Sequence, residues 1–322
     1  MAESFAAFMA RALHNPQRGY YARRIQGIGG QRGDFATAAT LSPLLGQGIA
    51  AWIRESRRVM PEVRHVIEIG AGNGALMETV RKSLGWWQRR KFEWHIVETS
   101  VTLREQQKLR LGAAVKWHSR LESGLDASGG SAFIYHNELL DAFPVRLVQS
   151  HEGVWQEVFV VFENGRAREL LQPLEIKPGF SALSHPPPHP QQRCELHDSV
   201  RDWLHGWIPY WQRGAMLTVD YGDTFPALYH RRPRGTLRAY LMHQRLEGMS
   251  IYENAGRQDI TADVNFTDYR AWTAALGLTE QAWLTQSEFI RSYFPQASGP
   301  LLDTEGAGGA FKVLVHRRKA VD

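Results

Sequence analysis

Cysteine is nearly missing from this 322-residue chain: Cys194 stands alone, so no internal disulfide framework can form. No cysteine–histidine group has the spacing of a zinc site, and no metal is expected. No apolar run approaches the roughly 20 residues that cross a bilayer as a helix. The opening segment, Met1–Leu13, lacks the basic stretch and apolar core of a secretory signal. These absences point to a reducing compartment without a membrane span, and the expected localisation is cytoplasmic. A strong charge of one sign is also absent, since the formal net charge is only +5. The basic residues are dispersed, so no nucleic-acid partner is expected. The densest clusters, Arg89-Arg90-Lys91 and Arg317-Arg318-Lys319, adjoin predicted element ends and read as solvated surface. There is no internal repeat.

What is present is core-forming: 43% of the residues are hydrophobic, ample for one large α/β domain with elaborations or for two modest ones. Phe5, Phe8, Met9 and Leu13 recur at helical spacing, and Asn15-Pro16 ends that amphipathic helix. Its polar face carries few basic residues, which favours packing against the domain over lying on a membrane. The glycine-rich stretch Gly27–Gly33 reads as a loop, followed by a helix from about Ser42 to Val59. From Val66 onward strand and helix alternate, with strand candidates at 66–70, 94–98, 115–117, 132–136, 215–220, 278–284 and 311–316. This rhythm predicts an α/β fold with a doubly wound, mostly parallel sheet. A β-hairpin between Val145 and Phe162 interrupts it, and a proline-rich loop at His185–Pro190 leads to an aromatic-rich helix at Trp203–Trp211. Proline spacing separates His185 from His189, which argues against a metal pair there.

The segment Val66–Gly74, VIEIGAGNG, carries the chemistry. Its apolar start predicts a buried strand, Ala75–Val80 continues as a helix, and Gly70, Gly72 and Gly74 fall in the turn between them. Glycine permits positive φ and close ligand approach, while the helix offers free N–H groups to a carboxylate or phosphate. The same spacing, with Ala71 inside it, satisfies the relaxed dinucleotide pattern, so a nicotinamide coenzyme stays an alternative. Glu68, two residues before the first glycine, tilts the choice: a carboxylate repels a pyrophosphate but attracts the ammonium and sulfonium of S-adenosyl-L-methionine. Glu98 ends the next apolar run, where a carboxylate can accept both ribose hydroxyls or simply cap the helix beginning near Ser100.

Six ordered motifs span most of the chain. They are Gly19-Tyr20-Tyr21, Gly33-Asp34-Phe35-Ala36-Thr37, the glycine turn, Asn137-Glu138-Leu139-Leu140-Asp141 running on to Pro144-Val145, Asp220-Tyr221-Gly222, and Gln258–Phe266. Together they resemble the MidA-like family of S-adenosylmethionine-dependent methyltransferases, which includes a mitochondrial complex I assembly factor that methylates a protein arginine. The resemblance implies a Rossmann-like methyltransferase sheet, with an N-terminal helical cap and loop (1–62), a core in two parts (63–144 and 214–322) and an insertion (145–213). It further implies S-adenosyl-L-methionine as cofactor and a protein arginine as acceptor, with a respiratory complex I subunit the suggested partner. It says nothing of oligomeric state. Where the family continues its second motif with Ser-Pro-Glu, this chain has Ala38-Ala39-Thr40, so substrate preference or activity is expected to differ.

In doubly wound folds the ligand crevice lies at the carboxyl ends of the strands. Glu68, Gly70, Ala71, Gly72, Gly74, Glu98 and Asn137 are therefore the expected cofactor residues. Glu138 and Asp141 are the candidate catalytic acids: a carboxylate clamp would orient a protonated guanidinium and localise its charge. Both acids would equally suit the first turn of a helix through its dipole. Asp34, Asp220, Asp259 and Asp263 are further acids for the same crevice. Small-molecule methylation and a non-catalytic assembly chaperone are the competing functions.

Overall fold

The computed structural model describes residues 2–24, 42–175, 179–241 and 244–319. Gly27–Gly33, Asp34 and the Ala38-Ala39-Thr40 departure lie outside the described residues. The chain divides into two compact units: a sheet unit drawn from 26–139, 204–221 and 273–322, and a second unit drawn from 1–25, 140–203 and 222–272.

The sheet unit is built on seven strands: β1 (His65–Ile69), β2 (Glu93–Val97), β3 (Lys116–His118), β4 (Ser131–Asn137), β5 (Arg213–Asp223), β6 (Thr279–Thr285) and β7 (Phe311–Arg318). Each corresponds to a strand candidate read from the sequence. Their spatial order is β6-β7-β5-β4-β1-β2-β3. Neighbours among β1–β5 run parallel, and only β7 is reversed, antiparallel to both β5 and β6. The α/β, doubly wound, mostly parallel class therefore holds. Val66, Ile67, Phe133, Ile134 and Tyr135 are fully buried on β1 and β4, as expected of central strands covered on both faces. On one face they pack with the helix Leu44–Val59, which buries Leu45, Ile49 and Ile53, and with Met77 and Val80 of the helix Ala75–Ser83.

The chain order runs outward from β1 to β2 and β3, then returns to β4 on the other side of β1. That reversal creates a topological switch point between β1 and β4. Ile69 pairs with His136, so the glycine turn after β1 and the Asn137-Glu138 pair at the end of β4 emerge side by side.

In the second unit the helix Phe5–His14 buries Phe5, Phe8, Met9 and Leu13, the four residues of its helical stripe, and the Ser4 side chain caps it by accepting from the Ala7 N–H. The expected hairpin is Arg146–His151 with Val154–Glu163, paired antiparallel up to His151–Val154. Arg166–Pro173, Arg193–Leu196 and Glu3–Ser4 extend it into a five-stranded antiparallel sheet. A smaller antiparallel sheet joins Arg238–Leu241, Gln244–Leu246 and Asp259–Thr261. His185–Pro190 is irregular, as its prolines dictate. No helix among the described residues is long and apolar enough to cross a membrane.

Candidate cofactor site

The turn after β1 owes its shape to glycine. Gly70, Gly72 and Gly74 have φ of 67°, 53° and 79°, a region costly for residues with a Cβ. At Gly70 a Cβ would also meet Leu139 Cδ1 at 2.8 Å. The Gly74 N–H returns to the Ala71 carbonyl at 2.8 Å, the Asn73 side chain accepts from the Ala75 N–H at 3.0 Å, and Ala75–Ser83 begins as a helix. Ala71 is buried beneath the turn. Bare backbone and a helix start are thus presented at the carboxyl end of the sheet.

Glu98 follows the last residue of β2. Its backbone N–H donates to the His118 carbonyl, and Oε1 accepts from the Ser100 N–H at 2.9 Å. Ser100 in turn caps the helix Val101–Leu111. Gln107, fully buried on that helix, was not singled out from the sequence, yet it ties the corner together. Its Nε2 donates to the Gly72 carbonyl at 2.8 Å and to Glu98 Oε2 at 3.2 Å, while its Oε1 accepts from Trp117 Nε1 at 3.1 Å. The only signal that points to it is helical phase: Leu103, Gln107 and Leu111 share the buried stripe at spacing four. Burial pushes the Glu98 carboxyl above the usual carboxylate range, opposed by the Ser100 and Gln107 hydrogen bonds.

Glu68 sits in the middle of the sheet. It pairs in register with Tyr135, whose hydroxyl donates to Oε2 at 2.9 Å and lies 3.4 Å from Met77 Sδ. Burial pushes its carboxyl up to about 8, with the Tyr135 hydrogen bond opposing the shift and the Glu98 charge adding to it. Burial thus favours the protonated carboxyl at neutral pH, where charge counting alone expected a standing anion. A cation brought against it would draw the proton off.

At the end of β4, Asn137 Nδ2 donates to Glu138 Oε1 at 2.9 Å, whereas Asn137 Oδ1 is buried without a partner among the described residues. Glu138 adopts φ 51°, left-handed and strained for a side-chain-bearing residue, and its N–H donates to the Val219 carbonyl. Asp220, fully buried on β5, accepts from the Leu139 and Tyr221 N–H groups at 3.0 Å and so fixes the segment that follows Glu138. Glu138 belongs to the sheet unit and Asp141 to the second unit. Leu140–Ala142 is a single 3-10 turn that Glu138 does not enter, so the two acids do not share a helix's first turn. Asp141 is buried, and its carbonyl accepts from the Ala262 N–H at 2.9 Å. Asp259 and Asp263 are in that same second unit: Asp259 accepts from the Tyr21 hydroxyl at 2.7 Å, and Asp263 is held by Arg232 and Arg238.

At the other end of the strands, register gathers His65, Glu93 and His95, a set invisible to spacing along the chain. The two rings bond each other at 3.0 Å, His95 also bonds His118 at 2.9 Å, and Glu93 pairs with Lys116 at 2.6 Å.

The orphaned Asn137 Oδ1, the Cβ-free turn and the Gln107-anchored Glu98 fit a ligand with amino and hydroxyl donors at the switch point. Comparison with known proteins agrees. A family described as S-adenosyl-L-methionine-dependent methyltransferases matches residues 44–283. The Drosophila melanogaster mitochondrial protein arginine methyltransferase NDUFAF7 homolog is 28% identical over 296 residues, 81% of this chain and 64% of that protein. Human mitochondrial NDUFAF7 is 26% identical over 82% of this chain and 64% of its own length. The chain therefore spans a little under two thirds of these two relatives. Among solved structures, a Burkholderia thailandensis protein bound to S-adenosyl-homocysteine superposes with a TM-score of 0.84 at 26% identity, covering 100% of this chain and 89% of that one. The bound product of methyl transfer makes S-adenosyl-L-methionine the cofactor and removes the nicotinamide alternative. The cytoplasmic expectation is overturned, because these curated relatives are mitochondrial proteins. A lone cysteine reports only that thiols stay reduced, which does not distinguish one such compartment from another.

Proposed function

The chain belongs to the S-adenosyl-L-methionine-dependent methyltransferase family, and from that premise we propose that it methylates an arginine side chain of a protein. Likeness to curated protein arginine methyltransferases over four fifths of the chain carries the acceptor class. A respiratory complex I subunit is the acceptor that the family resemblance favours.

The cofactor supplies an electrophilic methyl group on a positively charged sulfur. The chain's own task is then positioning, which accounts for much of the rate in a displacement of this kind. In this reading the Gly70–Gly74 backbone and the helix start after it receive the amino-acid end of the cofactor. Glu98, oriented by Gln107, accepts from the ribose hydroxyls. Glu68 gives up its proton as positive charge arrives, and Asn137 Oδ1 takes a donor that the protein itself does not provide. Glu138, pinned in a left-handed conformation beside Asn137, grips the acceptor guanidinium and holds it in line with the methyl. Asp141 orders the segment that follows.

The test is transfer of labelled methyl from the cofactor to protein in a lysate of cells lacking this chain, with hydrolysis to identify methylarginine. Labelled arginine in a protein band is expected, with Glu138→Gln lowering turnover by about 100-fold or more at unchanged S-adenosyl-homocysteine affinity. Label confined to small molecules defeats the protein acceptor. Full turnover in Glu138→Gln removes that residue from the mechanism.

A further inference from the structure

The Arg89-Arg90 cluster, read from sequence as solvated surface, lines a cavity of about 490 Å³ together with Arg81, Lys82, Arg110 and the rings of Trp86 and Trp94. That volume is in the range of small-molecule sites. Trp94 is the second residue of β2, whereas Glu98 follows the last. At about 3.3 Å per residue the cavity floor is more than 10 Å from the glycine-turn end of that strand.

The cavity's charge is unbalanced. Its one acid, Glu78, is already held by Lys82 at 2.7 Å and Arg110 at 3.0 Å. Arg81, Arg89 and Arg90 make no ion pair among the described residues. Arg81 is half-buried, and its Nε is fully buried without a hydrogen-bond partner. Burial and the neighbouring Arg89 charge both work against its cationic form, so an incoming anion relieves a cost built into the fold. The walls are stiffened: Trp94 Nε1 donates to the Arg89 carbonyl at 3.0 Å, and Arg57 reaches the Lys91 carbonyl at 2.9 Å while stacking 4.8 Å from the Phe92 ring. Trp86 is 48% exposed at the rim, with the Arg90 guanidinium 4.5 Å from its ring centre.

We propose that this cavity is a second ligand site, which binds an organic phosphate carrying an aromatic ring, the chemical class of the nucleotides. The phosphate lies among Arg81, Arg89 and Arg90, which match its oxygens in fork geometry. The ring stacks on Trp86. A purely apolar ligand would leave Arg81, Arg89 and Arg90 without a counter-anion, and the half-exposed Trp86 indole, with Arg90 beside it, offers an aromatic ring a surface that an inorganic anion does not use.

The test titrates the full chain, saturated with S-adenosyl-homocysteine to occupy the cofactor site, with ADP, adenosine and pyrophosphate in a calorimeter. ADP is expected to bind at least about tenfold tighter than either adenosine or pyrophosphate, and to weaken as salt rises. Arg89→Ala should cost about tenfold in ADP affinity with thermal stability and S-adenosyl-homocysteine binding unchanged. Trp86→Ala, which also frees the Arg90 guanidinium from the ring it rests on, should weaken ADP several-fold more than pyrophosphate. No ADP uptake, undiminished uptake in Arg89→Ala, or pyrophosphate binding as tight as ADP overturns the proposal.

Discussion

Glu68 and Glu98 of the sheet unit are buried among neutral donors: a tyrosine hydroxyl for the first, a backbone N–H and a glutamine amide for the second. Asp263 of the second unit is equally buried but held by two guanidiniums, Arg232 at 2.7 Å and Arg238 in a still closer contact. Glu195 there is, like Glu98, held above its ordinary range by burial, but its oxygens are already taken up by three donors of the fold: the Thr236 N–H, the Thr236 hydroxyl and the Leu237 N–H. A carboxylate already matched to a cation has its charge spent on holding the fold. One kept above its ordinary range by burial still has interaction energy to gain when a cation or hydroxyl donor arrives. The sheet unit leaves two such acids flanking the glycine turn, the site proposed for the cationic cofactor; in the second unit Asp263 and Glu195 are taken up in holding loops.

The largest effect expected from this contrast is in the second unit. Burial works against the Arg238 guanidinium, but the Asp263 carboxylate outweighs it and raises its pKa. Removing that partner leaves Asp263 buried with only the half-exposed Arg232. Arg238→Met should therefore destabilise the protein by about 3 kcal/mol or more. Pairing it with Asp263→Leu should restore much of the loss, because no charge is then stranded. Urea unfolding measures both; a single-variant cost below about 1 kcal/mol would erase the distinction between the two environments.

Glu68→Gln should act in the opposite direction. The folded carboxyl titrates near 8 against an ordinary 4.5, so between those values the unfolded chain is ionised while the folded one keeps its proton. Stability contributed by this group thus falls as pH rises from 4.5 to 8, by about 1.4 kcal/mol per unit. Glutamine keeps an acceptor for the Tyr135 hydroxyl and has no proton to lose, so the variant should be more stable by about 3 kcal/mol at pH 7 and lack that slope. It should also bind S-adenosyl-L-methionine less tightly, since no anion forms against the cation. Unfolding free energy followed from pH 5 to 8 decides: parallel curves for the two proteins mean that Glu68 is ionised in the resting fold.

The sheet was legible in the sequence because its signals are local. Apolar runs such as Val66–Ile69 and Phe133–Tyr135 mark buried strands, and three glycines in five residues admit few backbone paths. What was not legible depends on contacts across the chain. The stretch 222–272 leaves the sheet unit from the last residues of β5 onward, but its helices and strands have the same local signature as the core. Likewise, the Glu68 charge was judged from residue type, while burial inside the assembled sheet keeps its proton, against the opposing hydrogen bond from Tyr135, 67 residues away. Arg89-Arg90-Lys91 looked like surface because nothing nearby in sequence announces that Arg81 and Trp94 close a cavity around two of the three.

The smallest expected effect tests whether Gln107 links Glu98 to the glycine turn as a working part of the site. Gln107→Leu is close in volume and keeps the helix, but it strands the Gly72 carbonyl, one Glu98 oxygen and the Trp117 indole N–H. A buried polar group left unpaired costs about 1–3 kcal/mol, and partial relaxation of the turn should hold the stability loss near the lower end. The sharper readout is ligand affinity. Glu98 released from Gln107 loses the orientation that the proposed ribose contact depends on, so S-adenosyl-homocysteine should bind about tenfold more weakly. Adenine alone, which has no ribose to offer, should lose little of whatever affinity it has. If both ligands weaken equally, Gln107 shapes only the general packing of the corner, and the neutral donor on Glu98 serves the fold just as the arginines on Asp263 do.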